Sequence, residues 1–258
     1  MALFDDASLV VTPNGYKAGT LYSIKPTSGA GDMTVVRATT ATRVNSAGLI
    51  ESVANNVPRL DYSNGTCPSI LVEPQRTNVV LNSEDFSNAS WGKSYCSISA
   101  NQTTSPDGTQ NADKLIEDTS TGIHEVYSNT PFSLTVGVAY TKTVYAKSAE
   151  RTQISLNFVT GGFGQGASVI ANLSNGTLGT VNNVGGVTGS TATIINVGNG
   201  WYRISITMTP ASTANFYADY SPALNGAINY TGNGTSGIFI WGAQVEASSY
   251  PTSYIPTT

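Results

Sequence analysis

The chain holds one histidine, His124, in the stretch "TGIHEVYSN". Any Ser-His-Asp triad would have to use it, and would also need a nucleophile elbow such as GxSxG, which the sequence lacks. A strand histidine beside Glu125 reads instead as a packing or surface residue. Glycoside hydrolysis requires two carboxyl groups flanking the sugar bond, one of them with a raised pKa. Glu84, Asp85, Asp113, Glu117, Asp118, Glu125, Glu150, Asp219 and Glu246 are the candidates, and sequence alone does not show which converge. A depolymerase is more often a parallel β-helix with repeated rungs, and no such repeat is present, so the chain reads as non-enzymatic. "SEDFSN" and "SPDGTQNAD" are rich in oxygen ligands, but they lack EF-hand spacing. Asp and Asn beside Gly and Pro are turn formers, and no metal or cofactor is expected.

Sugar binding asks for less. The CH faces of a sugar stack on exposed Trp or Tyr, while Asn, Asp and Gln fix its hydroxyls. Trp91, Tyr95, Tyr217 and Tyr220 lie near turn residues and are the candidate glycan contacts; Trp241, in "IFIWGAQ", reads as core.

Charged residues make up 11% of the 258 positions and the net charge is -4, against about 25% charged residues in an ordinary soluble domain. Solubility must come from Asn, Ser, Thr and Gly. Without clustered Lys and Arg there is no footprint for nucleic acid. No apolar run approaches the roughly 18 residues of a membrane span. "MALFDDASLVV" has no basic region ahead of an apolar one, so synthesis in a cytosol is expected. Cys67 and Cys96 lack CxxC spacing and read as free thiols. The "NGT" sequons at Asn64, Asn175 and Asn233 are expected by chance in a chain this rich in Asn, Gly and Thr.

The elements that must position these residues are strands. "YTKTVYAKS", "TQISLNFV", "WYRISITMT", "NFYADYS" and "GIFIWGAQVEA" are rich in β-branched and aromatic residues. In "WYRISITMT", Tyr202, Ile204, Ile206 and Met208 should face the core, with Trp201, Arg203, Ser205 and Thr207 facing out. "PDG", "GGFGQG", "SNG", "GNG" and "LNG" mark the turns. The expected fold is all-β: a two-sheet antiparallel sandwich of jelly-roll type over residues 76–258. Charges are so scarce after Arg151 that Arg203 and Glu246 should share a salt bridge or a hydrogen-bond network.

Residues 1–75 differ. "ASLVVTPNGYKAGTLYSIKP" reads as a hairpin across "PNG", and the following Thr-rich ribbon has apolar residues too sparse for a large core. This is an extended β-rich N-terminal arm, closed by Pro74, which cannot donate to a ladder. Leu9, Val11, Leu21, Tyr22 and Ile24 would then be exposed for burial against sister chains or another protein, since large apolar patches are rare on monomers.

"LVEPQRTNVVLNSEDFSNASW", "TSPDGTQNADKL", "VYAKSAER", "VGNGWYRISIT" and "WGAQVEASSYPTSYIPT" occur in that order. Together with the lead-in "TRVNSAGLIESVANNVPRLDYSNGTCPSILVEPQRTN", the set resembles tailed-phage and prophage virion proteins of the head fibre, head spike or decoration type. The resemblance covers roughly residues 40–258. It implies a carbohydrate-binding-module-like jelly roll on a virion surface, anchored to capsid, vertex or tail proteins. Fibres and spikes of this kind imply a homotrimer, and the jelly roll implies contact with host surface glycans. The alternative is an exported carbohydrate-binding module of a glycan-degrading system.

Overall fold

The computed structural model describes residues 3–258. The chain divides into two compact units, one ending at Pro74 and one spanning Gln75–Thr258.

The first unit begins with a one-turn helix, α1 (Leu3–Asp6), followed by seven strands. These are β1 (Val10–Lys17), β2 (Thr20–Lys25), β3 (Met33–Thr34), β4 (Ala41–Val44), β5 (Ile50–Val53), β6 (Leu60–Asp61) and β7 (Ser69–Ile70). They pair as a three-stranded sheet, β1-β2-β3, and as the ribbons β4-β5 and β6-β7. The first hairpin does not turn at "PNG". It turns at Ala18 and Gly19, where φ is 50° and 91°, the two successive positive values of a tight hairpin turn. Pro13, Asn14 and Gly15 instead lie inside β1, where the register shifts between Val11 and Tyr16.

Leu9, Tyr22 and Ile24 are exposed and Val11 is half-buried. Leu21 is buried, correcting the expectation that it lies open. It sits on the central strand, and alternation points it away from Tyr22 and Ile24. Ile50 and Val53 are also buried, and much of the remaining cohesion is polar. The Arg37 guanidinium donates to the carbonyls of Val53 (3.2 Å), Ala54 (2.6 Å) and Val57 (3.1 Å). Arg59 pairs with Glu73 at 2.7 Å.

The second unit is a two-sheet antiparallel sandwich. Its first strands are β8 (Trp91–Ser94), β9 (Cys96–Thr103), β10 (Ala112–Glu117), β11 (Thr121–Ile123), β12 (Glu125–Ser128), β13 (Phe132–Leu134), β14 (Tyr140–Ser148) and β15 (Gln153–Thr160). There follow β16 (Gly166–Asn172), β17 (Thr177–Leu178), β18 (Asn182–Val184), β19 (Thr188–Gly198), β20 (Trp201–Thr209), β21 (Ala214–Ala223), β22 (Asn229–Thr231) and β23 (Gly237–Glu246). One sheet runs β19-β20-β14-β23-β10-β9. The other runs β17-β16-β15-β21-β12-β8, with β13 also pairing β21 and β18 also pairing β16. Leu115, Val144, Ile204 and Ile240 from the first sheet meet Ile154, Phe158 and Tyr220 from the second in one core.

Alternation places Ile204, Ile206 and Met208 inward and fully buried, with Tyr202 packed against them. The opposite face of that sheet is not open to water. Trp201 is buried and donates Nε1–H to the Thr104 carbonyl (2.9 Å). Tyr145 and Trp241 are buried on the same side, packed with Tyr254 from the C-terminal segment. Trp241 is therefore interior, but in a second apolar layer outside the sheet. Gly242 makes this possible. At φ 65° it forms a bulge in β23, so Ile238 and Ile240 before it and Ala243 and Val245 after it all face the main core.

Two segments far apart in the chain, residues 78–84 and 243–255, interlock here. Asn78 donates Nδ2–H to the carbonyls of Ala243 and Ile255 (both 2.9 Å), and its Oδ1 accepts from the backbone N–H of Val80 and Val245. Tyr254 Oη lies 2.7 Å from Ser83 Oγ and donates to Glu84 at 3.0 Å. The entry and exit of the sandwich are thus fastened side by side.

Candidate functional site

Eliminating carboxylates used as fasteners narrows the field. Asp113 accepts from the backbone N–H of Phe86 (2.9 Å) and Asn101 (3.0 Å). Glu117 is buried and accepts from Arg151, Tyr230 and Asn233. Glu84 accepts from Tyr254, and Glu246 from Thr252 and Gln244. Glu150 holds Lys114 and the Gly237 N–H, while Asp85 and Asp118 close local turns. Glu125 and Asp219 remain: Oε2 of the first and Oδ1 of the second are buried and have no hydrogen-bond partner within the protein.

Both lie on the face of the eight-stranded sheet that points away from the core. On β21, Phe216, Ala218 and Tyr220 face the core, so Tyr217, Asp219 and Ser221 must face out. The register sets Asp219 between Asn157 of β15 and Tyr127 of β12. Ser155 lies opposite Ser221. Asp219 is 7% exposed, Asn157 and the two serines less, whereas Tyr127 and Tyr217 are half-buried. The small polar groups therefore lie below the level of the flanking rings. Asn157 Nδ2 and Ser221 Oγ are also buried without a partner. Ser155 Oγ donates to Asn157 Oδ1 (2.9 Å), which leaves the amide's donor end free. Four neighbouring polar side chains with unmet capacity are unusual, because native interiors pair nearly all such groups.

Glycine lets one ring lie flat. A Cβ on Gly92 of β8 would sit 2.3 Å from Tyr127 Cζ, so the Tyr127 ring rests directly on that strand.

Behind the face lies a charge that the sequence reading missed. Lys142 is fully buried and points into the core from β14. Its Nζ crosses to the other sheet, donating to the backbone carbonyls of Asn157 (2.9 Å) and Asp219 (2.5 Å) and lying 4.0 Å from the centre of the Tyr220 ring. Burial pulls the Lys142 pKa down. Burial likewise pushes Asp219 and Glu125 up, opposed in each case by the Lys142 charge.

Of the four sequence-predicted glycan contacts, two are corrected. Trp91 is 2% exposed, packs on Phe86 at 4.7 Å and donates Nε1–H to the Asn82 carbonyl. Tyr220 is fully buried and donates to the Thr143 carbonyl (3.1 Å). Tyr217 and Tyr220 differ by an odd number of residues on one strand and cannot share a face. Tyr217 is half-buried on the outer face. Tyr95 is 51% exposed at the β8–β9 corner, where φ is 49° and its ring covers Gly122. Tyr127 was missed, although its alternation with Val126 signals it.

His124 lies elsewhere and is fully buried. Nδ1 sits 2.7 Å from the Tyr95 carbonyl and Nε2 3.2 Å from the Tyr230 carbonyl, so it packs and fastens. Cys67 and Cys96 are both free thiols.

No protein-family model and no curated protein matches the chain. Among solved structures it is similar to the N-terminal CBM22-1–GH10 modules of the Clostridium thermocellum endo-1,4-β-D-xylanase 10B complexed with xylohexaose. Identity is 18%, the match covers 61% of this chain and 29% of that chain, and the TM-score is 0.25. The chain thus matches under a third of that chain's length, and a likeness this slight fixes neither fold nor ligand.

Proposed function

We propose that the protein is a non-enzymatic structural component of a bacteriophage particle, attached through its first unit, whose sandwich meets host surface glycans. The observation that carries the glycan contact is the outer face of the eight-stranded sheet, where Asn157, Asp219, Glu125 and Ser221 have unmet hydrogen-bonding capacity beside Tyr127 and Tyr217. Polar groups beside half-exposed aromatic rings suit a sugar, which has CH faces and hydroxyl edges. The virion setting is supported by the ordered phrases described above and by exposed Leu9, Tyr22 and Ile24 in the first unit.

Binding fits the face better than cleavage. Acid–base hydrolysis works when two carboxyl groups are driven apart in pKa, one held protonated and the other charged. Burial drives Asp219 and Glu125 in the same direction. The test is to purify particles, quantify this chain by mass spectrometry, and incubate the full-length protein with host surface polysaccharide. Stoichiometric presence, retention of the polysaccharide and no release of shorter chains are expected. Absence from the particles would remove the virion reading, and newly formed reducing ends would remove the non-enzymatic one.

A further inference from the structure

We infer that the Asn157–Asp219 face selects uncharged sugars presenting adjacent hydroxyls and rejects acidic ones; this rests on the proposal that the face binds glycan. Asn157 and Asp219 are directly paired across β15 and β21, which places their side chains about 5 Å apart. One offers a free amide donor and the other a free carboxylate acceptor. Each sugar hydroxyl is both donor and acceptor. Two neighbouring hydroxyls therefore match the pair: one accepts from Asn157 Nδ2 while the other donates to Asp219. The Ser155 hydroxyl donates to Asn157 Oδ1, which leaves Nδ2 as the end of the amide that a ligand hydroxyl meets.

The charge on the face sets the exclusion. Glu125, on the neighbouring strand β12, adds a second carboxylate with an unpartnered buried oxygen. The compensating Lys142 ammonium lies behind the strands, held on the backbone carbonyls of Asn157 and Asp219. A uronate or sialate seated on this face brings its carboxylate against the carboxyl groups of Asp219 and Glu125, which lie just below the Tyr127 and Tyr217 rings. It would be repelled, because among the described residues neither Asp219 nor Glu125 has an ion-pair partner and Lys142 is fully buried behind the strands. The rings of Tyr127 and Tyr217 can stack on a sugar regardless of charge, so the selection belongs to the polar groups.

The full-length protein is tested by calorimetry and affinity electrophoresis against dextran, mannan and galactan as neutral probes, and polygalacturonate and polysialic acid as acidic ones. At least one neutral polymer should bind, and the acidic ones should bind at least about tenfold more weakly or not at all. Asp219→Asn and Tyr217→Ala should each weaken the neutral interaction by about tenfold or more, while Ile195→Thr on β19 leaves it unchanged. Tyr217 is only half-buried, so its variant still places the neutral polymer on this face if Asp219→Asn does not fold, and the neutral-against-acidic comparison on the parent protein then tests the selection. Acidic polymers binding as tightly as neutral ones, or neutral binding indifferent to both face variants, overturns the selection while leaving glycan binding intact. Failure of every neutral and acidic polymer to bind overturns both.

Discussion

Arg203 and Glu246 do not form an ion pair; they grip opposite sides of Thr252. Arg203 Nη2 donates to the Thr252 carbonyl at 2.6 Å, while Glu246 accepts from the Thr252 N–H (2.9 Å) and hydroxyl (2.7 Å). This is the shared network expected from the scarcity of charge, with its purpose now visible. The two side chains hold the C-terminal segment that covers Tyr145 and Trp241.

Glu246 is fully buried and also accepts from Gln244, so Glu246→Ala would strand several buried donors. Such losses cost roughly 3 kcal/mol, which lowers the Tm of a chain this size by on the order of 5–10 °C. Arg203→Met removes one hydrogen bond and should cost about 1 kcal/mol. Equal shifts in thermal melts of the two variants would contradict this ranking.

Gly242→Ala should be strongly destabilising. At φ 65° an alanine is strained, and its Cβ would stand 3.0 Å from the Tyr145 ring. Strain alone is about 1–2 kcal/mol, and displacing the Tyr145–Trp241–Tyr254 cluster adds to it. Gly198→Ala, also at positive φ (91°) but with open space at the Cβ position, should lose the strain component only. Urea melts showing the two losses to be equal would mean that the bulge does not organise the aromatic layer.

Glu125 has an unusual pH signature. Burial raises its pKa above the ordinary 4.5, outweighing the Lys142 charge. The folded chain thus holds this proton more tightly than the unfolded chain. Its contribution falls as pH rises from the unfolded value through the folded one, and the deficit persists above that window. Glu125→Gln should therefore melt higher than the parent at neutral pH, with the gap closing as pH approaches about 4. A gap that widens on acidification would show that the carboxylate is stabilised by the fold.

The two cysteines should differ sharply. Cys67 is exposed, whereas burial pushes the Cys96 thiol up to about 12 and its Sγ–H donates to the Glu125 carbonyl. Thiolate is the reactive form, so Ellman's reagent should titrate Cys67 alone in the native protein and both thiols after denaturation. Prompt modification of Cys96 in the native protein would contradict its burial.

The alternation in "WYRISITMT" shows the inward set plainly, because Ile and Met alternate with Ser and Thr. It shows only direction, not exposure, so it cannot reveal that Trp201 is capped by the Thr104 carbonyl 97 residues earlier in the chain. "YTKTVYAKS" carries apolar or aromatic residues in both phases, and a lysine there reads as outward. Lys142 faces in because its stem can cross the core to backbone carbonyls. In "NFYADYS" the period was present, and parity alone separates Tyr217 from Tyr220. The turn at Ala18–Gly19 escaped because "PNG" is the stronger local signal, although the chain accommodates it as a bulge. Asp219 and Glu125 stand out only after each of the other seven candidate carboxylates has been given its structural partner, which needs coordinates.

The most direct test of the division of labour proposed here is to delete residues 1–60 in cells that produce the particles, then measure the copy number of the truncated chain on purified virions. The sandwich holds the shared core of both sheets, so the truncated chain should remain soluble, melt cooperatively and retain glycan binding. The account predicts that it is missing from the particles. Incorporation at the copy number of the full-length chain would place the attachment in the sandwich and contradict the account.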